Sequence, residues 1–296
     1  MAHFIGAHSR DNGGIDQAVR RAASAQMSAL QVFSAVPKYY NDKVSVKPER
    51  AARFREALAA ANIAPANVVV HAGYVLNTAS PEPDKAEKAA AALAKELERT
   101  TALGALGCCF HPGSALTSDV ESALARAGDA VVRAIESVPN GARVLIENTA
   151  GAGKTVGRTP QEIAAMLARV PSVLRGRAGY GLDTCHLFAA GHDIASSPET
   201  QRAVIDAFVD AAGELPAFIH LNDSEGAFGS NRDRHALIGE GAIGIAPFGW
   251  LLADTRSRDI PLILETPQSD VEIPDDDAQA DANDARMMAL LRGLIS

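Results

Sequence analysis

Asn67-Val68-Val69-Val70-His71 is a short apolar run that ends on a histidine. The next two such runs, Gly107-Cys108-Cys109-Phe110-His111 and Arg143-Val144-Leu145-Ile146-Glu147, also end on a side chain able to hold a proton or a metal. None of the three alternates between apolar and polar residues, and continuous apolar runs of this length mark strands of a parallel sheet covered on both faces. Working outward, the same reading gives strands at His3–Ala7, Ala29–Phe33, Gly179–Asp183, Ala217–His220 and Pro261–Glu265. Between them lie alanine-rich stretches with apolar residues three and four apart: Ile15–Ala25, Glu49–Ala61, Glu82–Leu103, Asp119–Ser137, Pro160–Leu167 and Pro198–Ala212, with a last helix at Ala285–Ile295. Thr159-Pro160 and Ser197-Pro198 read as a capping hydroxyl followed by a proline in the first helical turn. Eight strand–helix units predict an α/β fold of the closed (β/α)8 TIM-barrel type, a single domain over residues 1–296 without repeat, linker or boundary. An open doubly wound sheet is the weaker alternative, because no G-x-G-x-x-G follows the first strand.

The composition agrees with a packed core. Of 296 residues, 47% are hydrophobic, which excludes a disordered chain. The net charge of −8 argues against a nucleic-acid binder that works by bulk charge. Residues 270–284, however, carry seven acids and no base, so the remainder stands at −1. The expected compartment is cytoplasmic. The start has no basic, apolar leader, no stretch approaches the ~20 apolar residues of a membrane span, and three cysteines, two of them adjacent, make no disulfide framework.

The chemistry lies in where acids and histidines fall. His71, His111, Glu147, Asp183, His220 and Glu265 end six consecutive strands. Strand ends of such a barrel form one rim, where active sites sit. One strand-end histidine is usually a hydrogen-bonded structural residue, and one acid a turn or cap. Six in register are different, because buried imidazoles and carboxylates are costly unless paired or coordinated. The turn Asp183-Thr184-Cys185-His186 adds His186, and Asp233-Arg234-His235 adds two more that project to one side if the chain is extended.

The nine candidates comprise five imidazoles and four carboxylates. That mixture suits zinc, with manganese or iron as substitutes. Nine ligands exceed the three protein ligands of one catalytic zinc, and with shared carboxylates they fit about three metals, the apparatus of phosphoester hydrolysis. His8 faces the same rim, His3 and His192 read as structural, and Cys185 as a packing residue. Gly151-Ala152-Gly153-Lys154-Thr155 is no phosphate loop, since Asn148 stands where the pattern needs glycine, and no nucleotide cofactor is expected.

Longer motifs run nearly end to end: Gly6-Ala7-His8 with Gly13-Gly14, Phe110-His111-Pro112-Gly113-Ser114, Ile146-Glu147-Asn148-Thr149-Ala150-Gly151, Asp183-Thr184-Cys185-His186-Leu187-Phe188-Ala189-Ala190-Gly191, His220-Leu221-Asn222-Asp223-Ser224, the segment from Gly229 through Asp233-Arg234-His235 to Gly241, and Leu262-Ile263-Leu264-Glu265-Thr266. In these the chain resembles the endonuclease IV family, the zinc-dependent apurinic/apyrimidinic endonucleases of base excision repair.

The resemblance implies a xylose-isomerase-like TIM barrel and three zinc ions (Zn2+). His71, His111 and Glu147 would hold the first. Glu147 would bridge to the second, held also by Asp183, His220 and Glu265. His186, Asp233 and His235 would hold the third. Glu147 and Glu265 would be the catalytic carboxylates. It further implies a phosphodiester hydrolase acting on double-stranded DNA, cutting 5′ to abasic sites to leave a 3′-hydroxyl, trimming blocked 3′ ends, and working as a monomer.

Tyr74, Val75 and Lys38 would touch DNA. Lys38 replaces a family arginine, Tyr40 a tryptophan, and Glu225 a lysine, and each change bears on DNA affinity. A sugar isomerase or epimerase on a related barrel, with fewer metals, and a non-catalytic damage binder are the alternatives.

Overall fold

In the computed structural model, which describes residues 3–41 and 43–295, eight parallel strands close into a barrel. They are β1 (Phe4–His8), β2 (Ala29–Phe33), β3 (Val68–His71), β4 (Gly107–Phe110), β5 (Arg143–Glu147), β6 (Ala178–Asp183), β7 (Ile219–His220) and β10 (Pro261–Leu264). Each pairs with its sequence neighbours, and β10 returns to β1 with Ile5 against Leu262 and Gly6 against Ile263. Outside the barrel pack α1 (Ile15–Ser24), α2 (Pro48–Ala60), α3 (Pro83–Leu103), α4 (Val120–Ser137), α5 (Pro160–Leu167), α7 (Pro198–Ala212), α8 (Ala246–Ala253) and α9 (Ala282–Ile295). Alanine is prominent on the buried face of α4, whereas α5, α7, α8 and α9 bury larger side chains such as Ile163, Phe208, Phe248 and Leu291. The expected caps are present: the side chains of Thr159 and Ser197 accept from the third residue beyond them, and Asp119, read as the first helical residue, caps α4 in the same way. Among the described residues no helix is long and apolar enough to cross a membrane.

Three elements escaped the sequence reading. The turn after β6 is a six-residue helix, α6 (Thr184–Ala189), and the loop after β7 contains a two-stranded hairpin, β8 (Asp223–Ser224) with β9 (His235–Ala236). The third is α8. The helices α6 and α8 are short and apolar nearly all round, so they lack the polar stripe that marks an amphipathic helix. The first strand also begins one residue later than expected, which leaves His3 outside it with Nε2 2.8 Å from the Leu252 carbonyl.

Strand parity aims the functional residues. Ala29, Val69, Cys109, Leu145, Phe218 and Ile263 fill the barrel interior as a separate core, while Val68, Val70, Cys108, Val144 and Ile146 face the helices. Side chains two apart share a face. Counting two on from the interior residues reaches Gln31, His71, His111, Glu147, His220 and Glu265. Asp183 stands two beyond Gly181, where any Cβ would collide with the Phe218 ring inside the barrel.

Candidate metal centre

Glu147, fully buried at the end of β5, is the hub. Its Oε2 lies 3.2 Å from Nε2 of His71 and 3.2 Å from Nε2 of His111. Its Oε1 lies 2.9 Å from Nδ1 of His220 and 3.4 Å from Nδ1 of His186. His220 Nδ1 is in turn 3.1 Å from Glu265 Oε2 and 3.7 Å from Asp183 Oδ2. At the outer edge Asp233 stands with one oxygen 3.2 Å from His186 Nε2 and the other 3.2 Å from His235 Nε2.

The structure thus brings all nine sequence-predicted candidates to one mouth. Five sets have donor atoms all within 4.8 Å of one another: His71, His111 and Glu147; Glu147, Asp183, His220 and Glu265; Cys109, Glu147 and His220; Asp183, His186 and His235; and Cys185, Asp233 and His235, so that Asp183 rather than Asp233 completes the compact set of His186 with His235. The expected spacings work for different reasons. Asp183 is the N-cap of α6 and accepts from the backbone amide of His186, so the pair shares a helical turn. Asp233 precedes β9, where extended backbone sets His235 on the same side.

Four of the five rings are oriented by a carbonyl oxygen on one nitrogen. His71 Nδ1 donates to the Ala72 carbonyl at 2.7 Å, His186 Nδ1 to that of Asn148 at 2.8 Å, and His235 Nδ1 to that of Glu265 at 3.0 Å. His220 is reversed: Nε2 donates to the Gln31 side-chain carbonyl at 2.8 Å. The nitrogen left over faces the carboxylates in His71, His220 and His235, and in His186 it faces Asp233 while Nδ1 also lies 3.4 Å from Glu147. This is how metal-binding histidines are held. The carboxylates are braced too. Asn222 donates from Nδ2 to Asp183 at 2.6 Å, and its Oδ1 accepts from the Glu265 amide at 2.8 Å.

The electrostatics without a cation are those of groups sharing protons. Burial opposes the charged form of Glu147, yet the His220 and His111 imidazoles hold its carboxyl well below the usual range. Burial likewise opposes His71 and His235, and neighbouring carboxylates (Glu147 and Glu265 for the first, Asp183 and Asp233 for the second) raise each to about 9. Nε2 of His186 and of His235 have no hydrogen-bond partner, although each faces Asp233. Buried imidazole nitrogens aimed at a shared carboxylate, with the opposite nitrogens engaged, are donors for metal ions. Binding would displace the protons that now balance the charges. The residues fit the implied group.

Two residues at the mouth were missed by the sequence reading. Gln31, fully buried on β2, touches His220, Glu265 and His8. The buried Cys109 thiol donates to Glu147 Oε2 at 3.0 Å. Strand parity was the signal available for both, since Cys109 and Gln31 carry the interior side of β4 and β2. Cys185 is buried beside Asp233 and His235, and burial first of all pushes its thiol up to about 12.

Of the expected DNA-contacting residues, Lys38 and Tyr74 are exposed, Tyr74 at 65%, and Val75 is half-buried against the core. Tyr40 is packed against the core, and the exposed ring on that loop is Tyr39.

A parallel barrel with imidazoles and shared carboxylates at its C-terminal mouth defines a metal-site TIM barrel. Comparison with known proteins agrees. Residues 19–289 match the model of the xylose isomerase-like TIM-barrel family. The chain is 37% identical to the probable endonuclease 4 of Chloroflexus aurantiacus over 98% of both chains. It is 36% identical to that of Trichlorobacter lovleyi over 99% of this chain and 100% of the relative. Among solved structures it superposes on endonuclease IV from Thermus thermophilus with a TM-score of 0.80 at 31% identity, covering 99% and 97% of the two chains. The chain belongs to the endonuclease IV family within the xylose isomerase-like TIM barrels.

Proposed function

We propose that this protein is a zinc-dependent apurinic/apyrimidinic endonuclease that hydrolyses the phosphodiester 5′ to abasic sites in double-stranded DNA, leaves a 3′-hydroxyl, and also clears blocked 3′ ends. The observation that carries this reading is the position of Glu147, whose two oxygens address two different groups of imidazoles. Such a carboxylate suits a bridge between His71/His111 and Asp183/His220/Glu265, with His186, Asp233 and His235 left for a third ion. When bound, the metals would supply Lewis acidity, lowering the pKa of water and neutralising phosphate charge.

The chain's own residues do the rest. The carbonyls of Ala72, Asn148 and Glu265 fix the imidazole orientations. Tyr74 after β3, Val36 and Tyr39 after β2, and Phe228 in the β8–β9 hairpin stand exposed, an apolar edge suited to stacked bases. An abasic nucleotide has no base to unstack, so turning it into the mouth is cheap.

The acidic stretch after β10 is tied to the loop after β1: Asn12 donates to Asp275 at 2.9 Å, and Arg10 pairs with Asp281 at 2.9 Å. The duplex is held at the metal-charged rim.

Incision of a duplex carrying one tetrahydrofuran abasic mimic, with and without chelator, tests the reading. Cutting at the mimic that chelator abolishes, from protein holding about three zincs per chain, is expected. Protein that holds one metal, or that does not cut the mimic, overturns it.

A further inference from the structure

Seven barrel strands bring an acid or a histidine to the mouth, His8 among them, and β2 brings Gln31. Gln31 lies in β2 beside His8 in register, and no part of it reaches solvent. A buried primary amide is expensive unless both ends are engaged. Here both are engaged, and all partners belong to the mouth. Oε1 accepts from His220 Nε2 at 2.8 Å, Nε2 donates to Glu265 Oε1, and Nε2 lies 3.0 Å from His8 Nδ1.

The amide's own asymmetry gives each contact a direction. The carbonyl end requires a proton on His220 Nε2, which makes Nδ1, the nitrogen that faces Glu147 and Glu265, the one that can give up its proton to a metal. The amino end requires an acceptor, which turns Glu265 so that Oε1 is occupied and Oε2 faces His220 Nδ1 at 3.1 Å.

We propose that Gln31 is the positioning residue of the middle metal site: one amide sets the nitrogen that His220 offers and the oxygen that Glu265 offers. The proposal rests on the reading of His220 and Glu265 as ligands of that site. Among the described residues Gln31 alone hydrogen-bonds to both side chains. Residues that brace a ligand from behind typically change metal affinity by about 10- to 100-fold when replaced.

The test compares zinc-loaded wild type, Gln31→Met and Gln31→Glu by graded chelator competition, reading zinc per chain and the melting temperature of the metal-free protein. Gln31→Met keeps length and volume but loses both bonds. Gln31→Glu keeps an acceptor for His220 and sets a repelling oxygen against Glu265. In both, one zinc of three is expected to leave at about 10- to 100-fold lower chelator strength, with the other two released as in wild type. Should Gln31→Met fail to fold, Gln31→Asn, which has the same amide one methylene short of His220, carries the same expectation.

Unchanged release of all three zincs overturns the role of Gln31 alone. Equal loosening of all three together with a lower melting temperature also overturns it, since that marks a packing residue. A wild type that holds no zinc overturns the three-metal reading and this role with it.

Discussion

Glu147→Gln is the most informative substitution. The side chain keeps its shape but loses its charge, and one oxygen becomes an NH2 that faces imidazole nitrogen. In the present geometry that carboxylate is within 3.4 Å of four imidazole nitrogens and 3.0 Å of the Cys109 thiol, with no exposed surface. Removing one partner from a buried charged set costs about 3–5 kcal/mol. At about 1.4 kcal/mol per tenfold, that is roughly a hundred- to a few-thousand-fold in the affinity of whatever the set holds.

Because Glu147 belongs both to the group with His71 and His111 and to the group with Asp183, His220 and Glu265, two zincs per chain should loosen by that factor while the one at His186, Asp233 and His235 stays. Metal content after dialysis, measured by elemental analysis, reads the loss, and abasic-duplex incision should fall by at least about a thousandfold. Circular dichroism checks that the barrel persists. A variant that keeps three zincs at wild-type affinity, or that cuts within a few-fold of wild type, refutes the bridging assignment.

Further outcomes follow from the same geometry. His71 and His235 rise from 6.5 to about 9 in the metal-free fold, so their protonated forms add stability that is complete below about pH 6.5 and lost as pH rises to about 9. The melting temperature of chelator-treated protein should fall across that window while zinc affinity climbs. A metal-free melting temperature that is flat or rising there contradicts the charge balance described. Asp223, buried in the β8–β9 hairpin, accepts from the amides of Gly239, Gly241, Ile243 and Gly244 at 2.9–3.2 Å. Asp223→Asn should lower unfolding free energy by about 3 kcal/mol or more in denaturant titration, and an unchanged midpoint would show that those amides find other partners. Tyr74→Ala, at an exposed ring, should raise KM for abasic duplex by about tenfold with zinc content and melting unchanged; unaltered KM removes Tyr74 from the DNA surface.

Much of the architecture was legible because burial on both faces of a parallel strand leaves an unmistakable apolar run. The bounds of β2, β5, α5 and α7 match the sequence reading residue for residue. Elements too short or too uniformly apolar to carry a period, α6, α8 and the β8–β9 hairpin, were not legible. The same limit hid the form of Asp183-Thr184-Cys185-His186. Its spacing was read as a turn, and a capped helix delivers the two side chains instead.

What the sequence determined by itself is the set of ligand types and their ends of strand, since a charged or imidazole residue closing six of the eight apolar runs is a local fact of the chain. What only the tertiary structure decided is how those residues address one another. That Glu147 turns its two oxygens to different imidazoles, that His220 offers Nδ1 where the other oriented rings offer Nε2, and that Gln31 and Cys109 stand behind them depends on strand stagger and barrel closure. These bring Gln31 into hydrogen-bond contact with His220 and Glu265, both far along the chain from it. Neighbours across a closed barrel are set by geometry that no single strand encodes, which is why a glutamine in the middle of an apolar run could be seen as a strand residue and not as the amide that orients a metal site.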